Sequence, residues 1–373
     1  QEKIFLKFKQ NKKKTIWIHC ASLGEYEEIK AFIPEFKKIN STINITFFSL
    51  SGYLNFKDHH LINETSCLPL DNKVNMERYI QLMNPMMVIV AKNDIWPNMI
   101  TYLNETGIPL YLIGFKLNTK KANNWFIKKY YESILSKFNF IFCEDNNSSN
   151  FLTKKNILNH TVIGNSRINQ IIIDSKVKFE NNLMHKFIAN KKTIVYGSIE
   201  YGDYNKIINT INNSENLIHI IIPHEINNKT IRNLKNIIPH KITMYSQLKT
   251  SELNKSNILI VDVFGILKHI YKFSDIAYIG GGFNRGTHNT LEAAVHGNFM
   301  IFGPRHTNFS ETIVFIEKNI ATVIKNNLEF EKTINTFFNK NQSKKEILQI
   351  TSSYFKENMV NLKLIINHII SLK

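Results

Sequence analysis

The chain has 373 residues and carries 47 Lys and Arg against 30 Asp and Glu, a formal charge of +17. That length suits two domains with separate cores, and the charge points to an anionic partner: a nucleic acid, an acidic lipid surface or a phosphorylated substrate. Cys20, Cys67 and Cys143 lie far apart with no CxxC, which excludes a disulfide framework and fits buried thiols in a reducing compartment.

The charge signal is diluted, because Lys, Asn, Ile, Phe and Tyr all abound and the lysines are scattered. No apolar run is long enough to span a bilayer, and no signal peptide precedes the first strand pattern. In chain order, β-branched and aromatic runs predict strands over 15–19, 43–49, 86–91, 109–115, 140–144 and 161–164. A helix is expected over 25–39, with Ile29, Phe32, Ile33 and Phe36 on one face. A second series of strands is expected over 193–196, 217–222, 257–261, 277–279 and 299–302, followed by a helical tail over 345–373.

Strand–helix alternation argues for parallel sheets covered by helices on both faces. Two such series imply an α/β protein of two doubly wound, Rossmann-like domains with a crevice between them. The least patterned connection, 165–190, holds the junction, giving domains of 1–168 and 169–373, with the last helix a candidate to cross back. In open parallel sheets ligands bind beyond the carboxyl ends of the strands, so each sheet should offer one ligand-facing edge.

On the second sheet that edge carries GGGFNRGTHNTLEAAVHG, residues 280–297. A strand, a glycine-dense turn and a helix start gather backbone N–H groups, the usual seat of a phosphate. The motif is neither a P-loop, since Thr287 stands where the lysine belongs, nor the usual dinucleotide fingerprint. A tight turn without a ligand is the plain alternative, and His288, Asn289 and Glu292 argue against it. Glu292 could accept from both hydroxyls of a ribose. Gly197-Ser198-Ile199-Glu200 and Pro223-His224-Glu225 also follow strands, and Gly303-Pro304-Arg305-His306 adds a cation.

On the first sheet, Ala21-Ser22-Leu23-Gly24-Glu25 follows the strand IWIHC. Glu25 opens a helix, which is ordinary capping chemistry; held at a cleft, the same carboxylate could take a proton from an attacking hydroxyl. Asp94, in KNDIWPN after the strand over 86–91, is a second acid and equally a candidate helix cap. The segment 116–131, KLNTKKANNWFIKKYY, suits an interfacial helix at an anionic membrane or a solvated helix with an aromatic core face. No DxD-type pair and no His/Asp cluster has metal-ligand spacing. No RNP-like, helix-turn-helix or zinc-knuckle pattern supports nucleic-acid binding.

IWIHCASLGE, NDIWPN, VDVFGIL, IAYIGGGFNRGTHNTLEAA and IFGPRHTNFSE, in this order over nearly the whole chain, resemble the bacterial 3-deoxy-D-manno-octulosonic acid (Kdo) transferases. PHEI at 223–226 and Lys92 are similar to that family's Bacteroidetes branch. The resemblance implies GT-B architecture and an inverting transfer of Kdo from CMP-Kdo to a lipid A precursor. It also implies no metal and no cofactor, a membrane surface as partner rather than a nucleic acid, and action at the cytoplasmic face of the inner membrane. The family's N-terminal hydrophobic anchor is missing from these residues, so attachment is expected to be peripheral or through an anchor outside them.

Carried over residue by residue, Glu25 is the general base and Asp94 the second functional acid. Ser198, Gly282, Asn289, Glu292 and the Asn165-Ser166-Arg167 turn surround CMP; Ser22, Gly24, His224, Gly281 and His288 complete the substrate- and donor-binding set. Two positions depart from the family pattern: Asp94 replaces a usual Glu, and Thr287 a usual Gly. Another GT-B nucleotide-sugar enzyme, with a different donor or acting as an epimerase, is the alternative, and a basic nucleic-acid-binding module a more distant one.

Overall fold

The computed structural model describes residues 13–40, 42–117, 131–253, 256–307, 309–340 and 343–372. The chain divides into two compact units. One is Gln1–Gln170 with Asn358–Lys373, the other Ile171–Glu357, and the helix Arg167–Ser175 runs across the boundary in sequence.

The first unit is built on β1 (Thr15–Cys20), β2 (Ile43–Phe47), β3 (Glu64–Cys67), β4 (Pro85–Ala91), β5 (Leu110–Phe115), β6 (Phe140–Cys143) and β7 (His160–Val162). The sheet order is β3-β2-β1-β4-β5-β6-β7, and each described pairing is parallel. All six residues of β1 are buried, because helices cover both faces. Alternation sends Trp17 to one core with Val88, Val90 and Leu112. Ile16 and Ile18 go to the other with Met87, Ile89 and Tyr111.

The second unit repeats the plan with β8 (Thr193–Ile199), β9 (Ile218–Pro223), β10 (Ile242–Met244), β11 (Ile258–Ile260), β12 (Ile276–Ile279), β13 (Phe299–Phe302) and β14 (Ala321–Val323). Its order is β10-β11-β9-β8-β12-β13-β14. The strand order reverses between β1 and β4 in the first sheet and between β8 and β12 in the second. A doubly wound sheet opens its ligand crevice at that switch point.

The helix expected over 25–39 is three pieces, Leu23–Ile29, a 3₁₀ turn Lys30–Phe32 and Ile33–Ile39. Pro34 has no N–H to continue the ladder and its ring crowds the carbonyl four residues back, so it sits in the first turn of a new helix. The tail is also interrupted, into Lys344–Asn358 and Leu362–Ser371. The latter places Ile365, Ile366 and Ile369, with Val360, in the first unit's core beside Phe32, Phe36 and Tyr111. Asn169 anchors that return, donating to the Val360 carbonyl at 2.8 Å and accepting from its N–H at 3.0 Å.

Candidate active site at the two switch points

In the first unit, β1 ends at Cys20 and turns through Ala21 and Ser22 into the helix Leu23–Ile29. Ser22 is the N-cap, yet its hydroxyl makes no cap bond. A Cβ on Gly24 would meet only the Ser22 Oγ, at an ordinary 3.6 Å, so the space beside this turn is open. Glu25 folds back and accepts from the Ala21 N–H. Burial pushes its carboxyl up to about 7, against that hydrogen bond; the negative charges of Asp94 and Glu28 add to the rise and Lys92 opposes it. A carboxyl poised near neutrality suits proton abstraction.

Asp94 lies beyond β4, the neighbour of β1, and its side chain is 17% exposed. It is gripped from below. Trp17 Nε1 donates to Thr46 Oγ1 at 2.8 Å; Thr46 Oγ1 lies 2.7 Å from His19 Nδ1, and His19 Nε2 lies 2.7 Å from Asp94 Oδ2. An ionised Asp94 can only accept, so in the neutral ring Nδ1 accepts from the Thr46 hydroxyl, which holds that tautomer. The imidazole N–H is thereby left on Nε2, facing Asp94. The His19 ring is wholly buried. Beside it, Lys92 stands at φ 59°, a left-handed conformation uncommon outside glycine. It binds Glu28 at 2.8 Å and Glu144 at 2.9 Å. Burial raises the Glu28 carboxyl, opposed chiefly by Lys92 and to a smaller extent by Arg167.

In the second unit, β8 ends in a bulge at Gly197–Ile199, where Ser198 takes φ 53°. The bulge packs against the next turn, where a Cβ on Gly280 would stand 2.2 Å from the Ser198 carbonyl oxygen. Asp203, wholly buried, ties the two turns together. Its carboxylate accepts from the N–H groups of Glu200 at 2.8 Å and Gly281 at 2.9 Å and from the Tyr278 hydroxyl at 2.7 Å. Burial pushes the Asp203 carboxyl upward despite those three donors.

The glycine turn spends most of its amides on the protein itself. Those of Gly280, Gly281, Asn284, Gly286, Thr287 and His288 all have protein acceptors, and the helix that follows, Leu291–Ala294, is a single turn. The gathering of unpaired amides and the helix dipole expected from sequence are therefore both reduced. The amides of Gly282, Asn289 and Thr290 have no acceptor among the described residues. Gly282 packs against the next turn so tightly that a Cβ would fall 2.6 Å from Gly303 N. Thr287 needs no glycine-like backbone, because Gly286 (φ 136°) takes the unusual conformation.

Around this edge, Asn289 Nδ2 donates to Glu292 Oε1 at 2.7 Å. His288 Nε2 lies 3.1 Å from Glu200 Oε1, and the His224 and His288 rings stack with centroids 4.4 Å apart. Arg305 donates to the Asn284 carbonyl.

Within the first unit, then, Ser22, Gly24, Glu25 and Asp94 share the β1/β4 edge. Within the second, Ser198, His224, Gly281, Gly282, His288, Asn289 and Glu292 gather on the carboxyl edge of β9, β8 and β12. Arg167 belongs to the first unit. The expected interfacial helix lies mostly outside the described residues; of it, Lys116 pairs with Glu144 at 3.0 Å and Tyr131 packs on the core. Sequence reasoning passed over His19, Thr46 and Asp203. A histidine inside the apolar strand IWIHC, and an acid three residues after Glu200 in capping-box register, were the available signals.

The family described as 3-Deoxy-D-manno-octulosonic-acid transferase (kdotransferase) matches residues 1–170. A 3-deoxy-D-manno-octulosonic acid transferase from Aquifex aeolicus is 28% identical over 329 residues, 84% of this chain and 82% of that one. Its Rickettsia prowazekii counterpart is 27% identical over 88% of this chain and 73% of its own length. The first 170 residues of the chain match the Kdo transferase family. Family members are glycosyltransferases. A bifunctional glycosyltransferase/methyltransferase of Fusobacterium nucleatum is 26% identical over 92% of this chain, which spans only 55% of that protein's length.

Among solved structures, the UDP-GlcNAc 2-epimerase from Neisseria meningitidis aligns over 97% of this chain and 100% of its own, with a TM-score of 0.65 at 14% identity. Anabaena Alr3699/HepE aligns over 96% of this chain and 100% of its own, with a TM-score of 0.65 at 11% identity. These likenesses establish the fold, two Rossmann-like units of the GT-B type.

Proposed function

We propose that this protein is a Kdo transferase that moves Kdo from CMP-Kdo to a hydroxyl of a lipid A precursor in lipopolysaccharide biosynthesis. The observation that carries the reading is the Glu25 carboxyl, held at the β1/β4 switch point with its proton affinity raised to about 7. Glu25 takes the proton of the acceptor hydroxyl as its oxygen attacks the anomeric carbon of Kdo from the face opposite cytidylate, which leaves with the bonding pair and inverts the configuration. Developing charge on cytidylate is met by free amides at the Gly282 and Asn289 turns. Glu292, already oriented by Asn289, receives the ribose hydroxyls. No step is routed through a metal or a cofactor.

A lipid acceptor fits the surface of the first unit. Phe48, Leu50 and Leu54 follow β2 and Leu70 and Val74 follow β3, and all five are more than half exposed. They belong to the same carboxyl edge that carries Glu25 and Asp94, and the Phe48 ring stands 4.6 Å from Trp96. An apolar group there suits acyl chains or the outer part of a bilayer. Among the described residues no helix is long and apolar enough to cross a membrane; peripheral action at the cytoplasmic face of the inner membrane is part of the proposal.

Incubation with CMP-Kdo and a tetraacylated lipid A precursor, read by product mass, is expected to show added Kdo. Turnover of a UDP-sugar with no Kdo product would replace this reading with another GT-B activity. On the donor side, Glu292→Ala removes two charge-assisted hydrogen bonds, so CMP should bind roughly 10- to 100-fold more weakly. Calorimetric titration with CMP decides it, and an unchanged affinity removes Glu292 from the ribose.

A further inference from the structure

Glu200, His224 and His288 are far apart in sequence, yet they come from the turns after β8, β9 and β12, three adjacent strands of the second sheet. Their donor atoms all lie within 4.8 Å of one another. We propose that these three side chains form a binding site for a borderline divalent cation of the Zn2+ type, an ion held by two imidazoles and one carboxylate. The site goes beyond the transferase reading and does not depend on it.

The donor set is the one such ions favour, two nitrogen ligands and an oxygen, with coordination positions left over. The tightest pair is already at coordination distance: His288 Nε2 and Glu200 Oε1 are 3.1 Å apart. Two atoms each about 2.0–2.1 Å from one ion are separated by roughly 2.9 Å at a right angle and about 3.3 Å at the tetrahedral angle. One ion can therefore replace that hydrogen bond without moving either group far. His224 supplies the third ligand. Its ring stacks on His288 at 19° and has no hydrogen-bond partner among the described residues, and its side chain is exposed, so a rotation brings it in without disturbing the core.

The support around the ligands has the form such sites need. Asn284 Nδ2 holds the second carboxylate oxygen of Glu200 at 2.6 Å, fixing which oxygen faces the imidazoles. Gly281 leaves room for the His288 ring, since a Cβ there would fall 3.0 Å from its Nε2 and Cδ2. Glu200 and His224 also line a cavity of about 510 Å3 that includes Lys229 and Arg285. An ion there keeps its remaining positions on the cavity side, where an anionic group is the matching ligand.

The test uses the tag-free full chain, stripped with chelator and titrated with Co2+, whose visible bands report imidazole coordination, and then with Zn2+ in competition. One ion per chain is expected. Affinity should fall at least tenfold in both His224→Ala and His288→Ala and stay unchanged in Glu292→Ala. His224 is exposed, so its replacement leaves the fold intact and that arm stands even where His288→Ala misfolds. The absence of stoichiometric binding by the wild type, or a His224→Ala titration equal to wild type, would overturn the site. Kdo transfer assayed in EDTA reports separately on the transferase reading.

Discussion

Glu25→Gln should abolish Kdo transfer, lowering turnover by about 10²- to 10⁴-fold, while CMP binds as it does to the wild type. Glutamine keeps the shape and can still accept from the Ala21 N–H, but it cannot take a proton. The wild-type pH profile carries a second signature. Because the base works only when deprotonated, kcat/KM should climb as pH rises through about 7 and then level. The linkage to stability has a definite sign. A carboxyl whose folded value is raised contributes stability that is full below its ordinary range and is lost as pH rises through about 7. Melting of the wild type should therefore soften between about pH 4.5 and 7 more than melting of the Gln variant. Wild-type turnover by Glu25→Gln would end the assignment of the base.

Breaking the support beneath Asp94 is the second large effect. Asp94→Asn is expected to cost about 10²-fold in turnover with CMP affinity intact. It should also move the rise of the pH profile to lower pH, since Asp94 is one of the charges, after burial, that hold the Glu25 proton. His19→Phe keeps an aromatic ring in the core and removes the N–H directed at Asp94. The loss should fall on kcat more than on KM. His19→Gln, which can still donate toward Asp94, should recover part of the rate. Thr46→Val leaves His19 in place but takes away the proton that sets its tautomer, and about a tenfold loss is expected. A His19→Phe enzyme with wild-type kcat and pH profile would show that Asp94 needs no such grip.

The strands that sequence reading located are those whose runs are long or flanked by strong turns, β1, β4, β5, β8 and β9 among them. The three it passed over, β3, β10 and β14, are edge strands of three or four residues. Glu64–Cys67 and Ile242–Met244 are too short to show a period, and pairing with one neighbour, not local preference, makes them strands. The candidate residues were visible because chemistry-bearing side chains directly follow apolar runs, the position that becomes a sheet's ligand edge. Their interactions were not visible. Nothing local pairs His19 with residue 94, or Asp203 with Gly281, since those contacts span 75 and 78 positions and depend on which strands become neighbours. The glycine turn shows the opposite error: its amides read as free, but the fold consumed most of them.

The closing helix Leu362–Ser371 completes a core that the first 170 residues begin. During synthesis, the amino-terminal sheet therefore emerges with one flank uncovered and stays so while the intervening 187 residues of Ile171–Glu357 are made. That middle unit has every one of its strands in hand first. Maturation thus runs against the usual amino-to-carboxyl order. A nonsense codon near position 358 would spare the second unit and leave the first as the defective one.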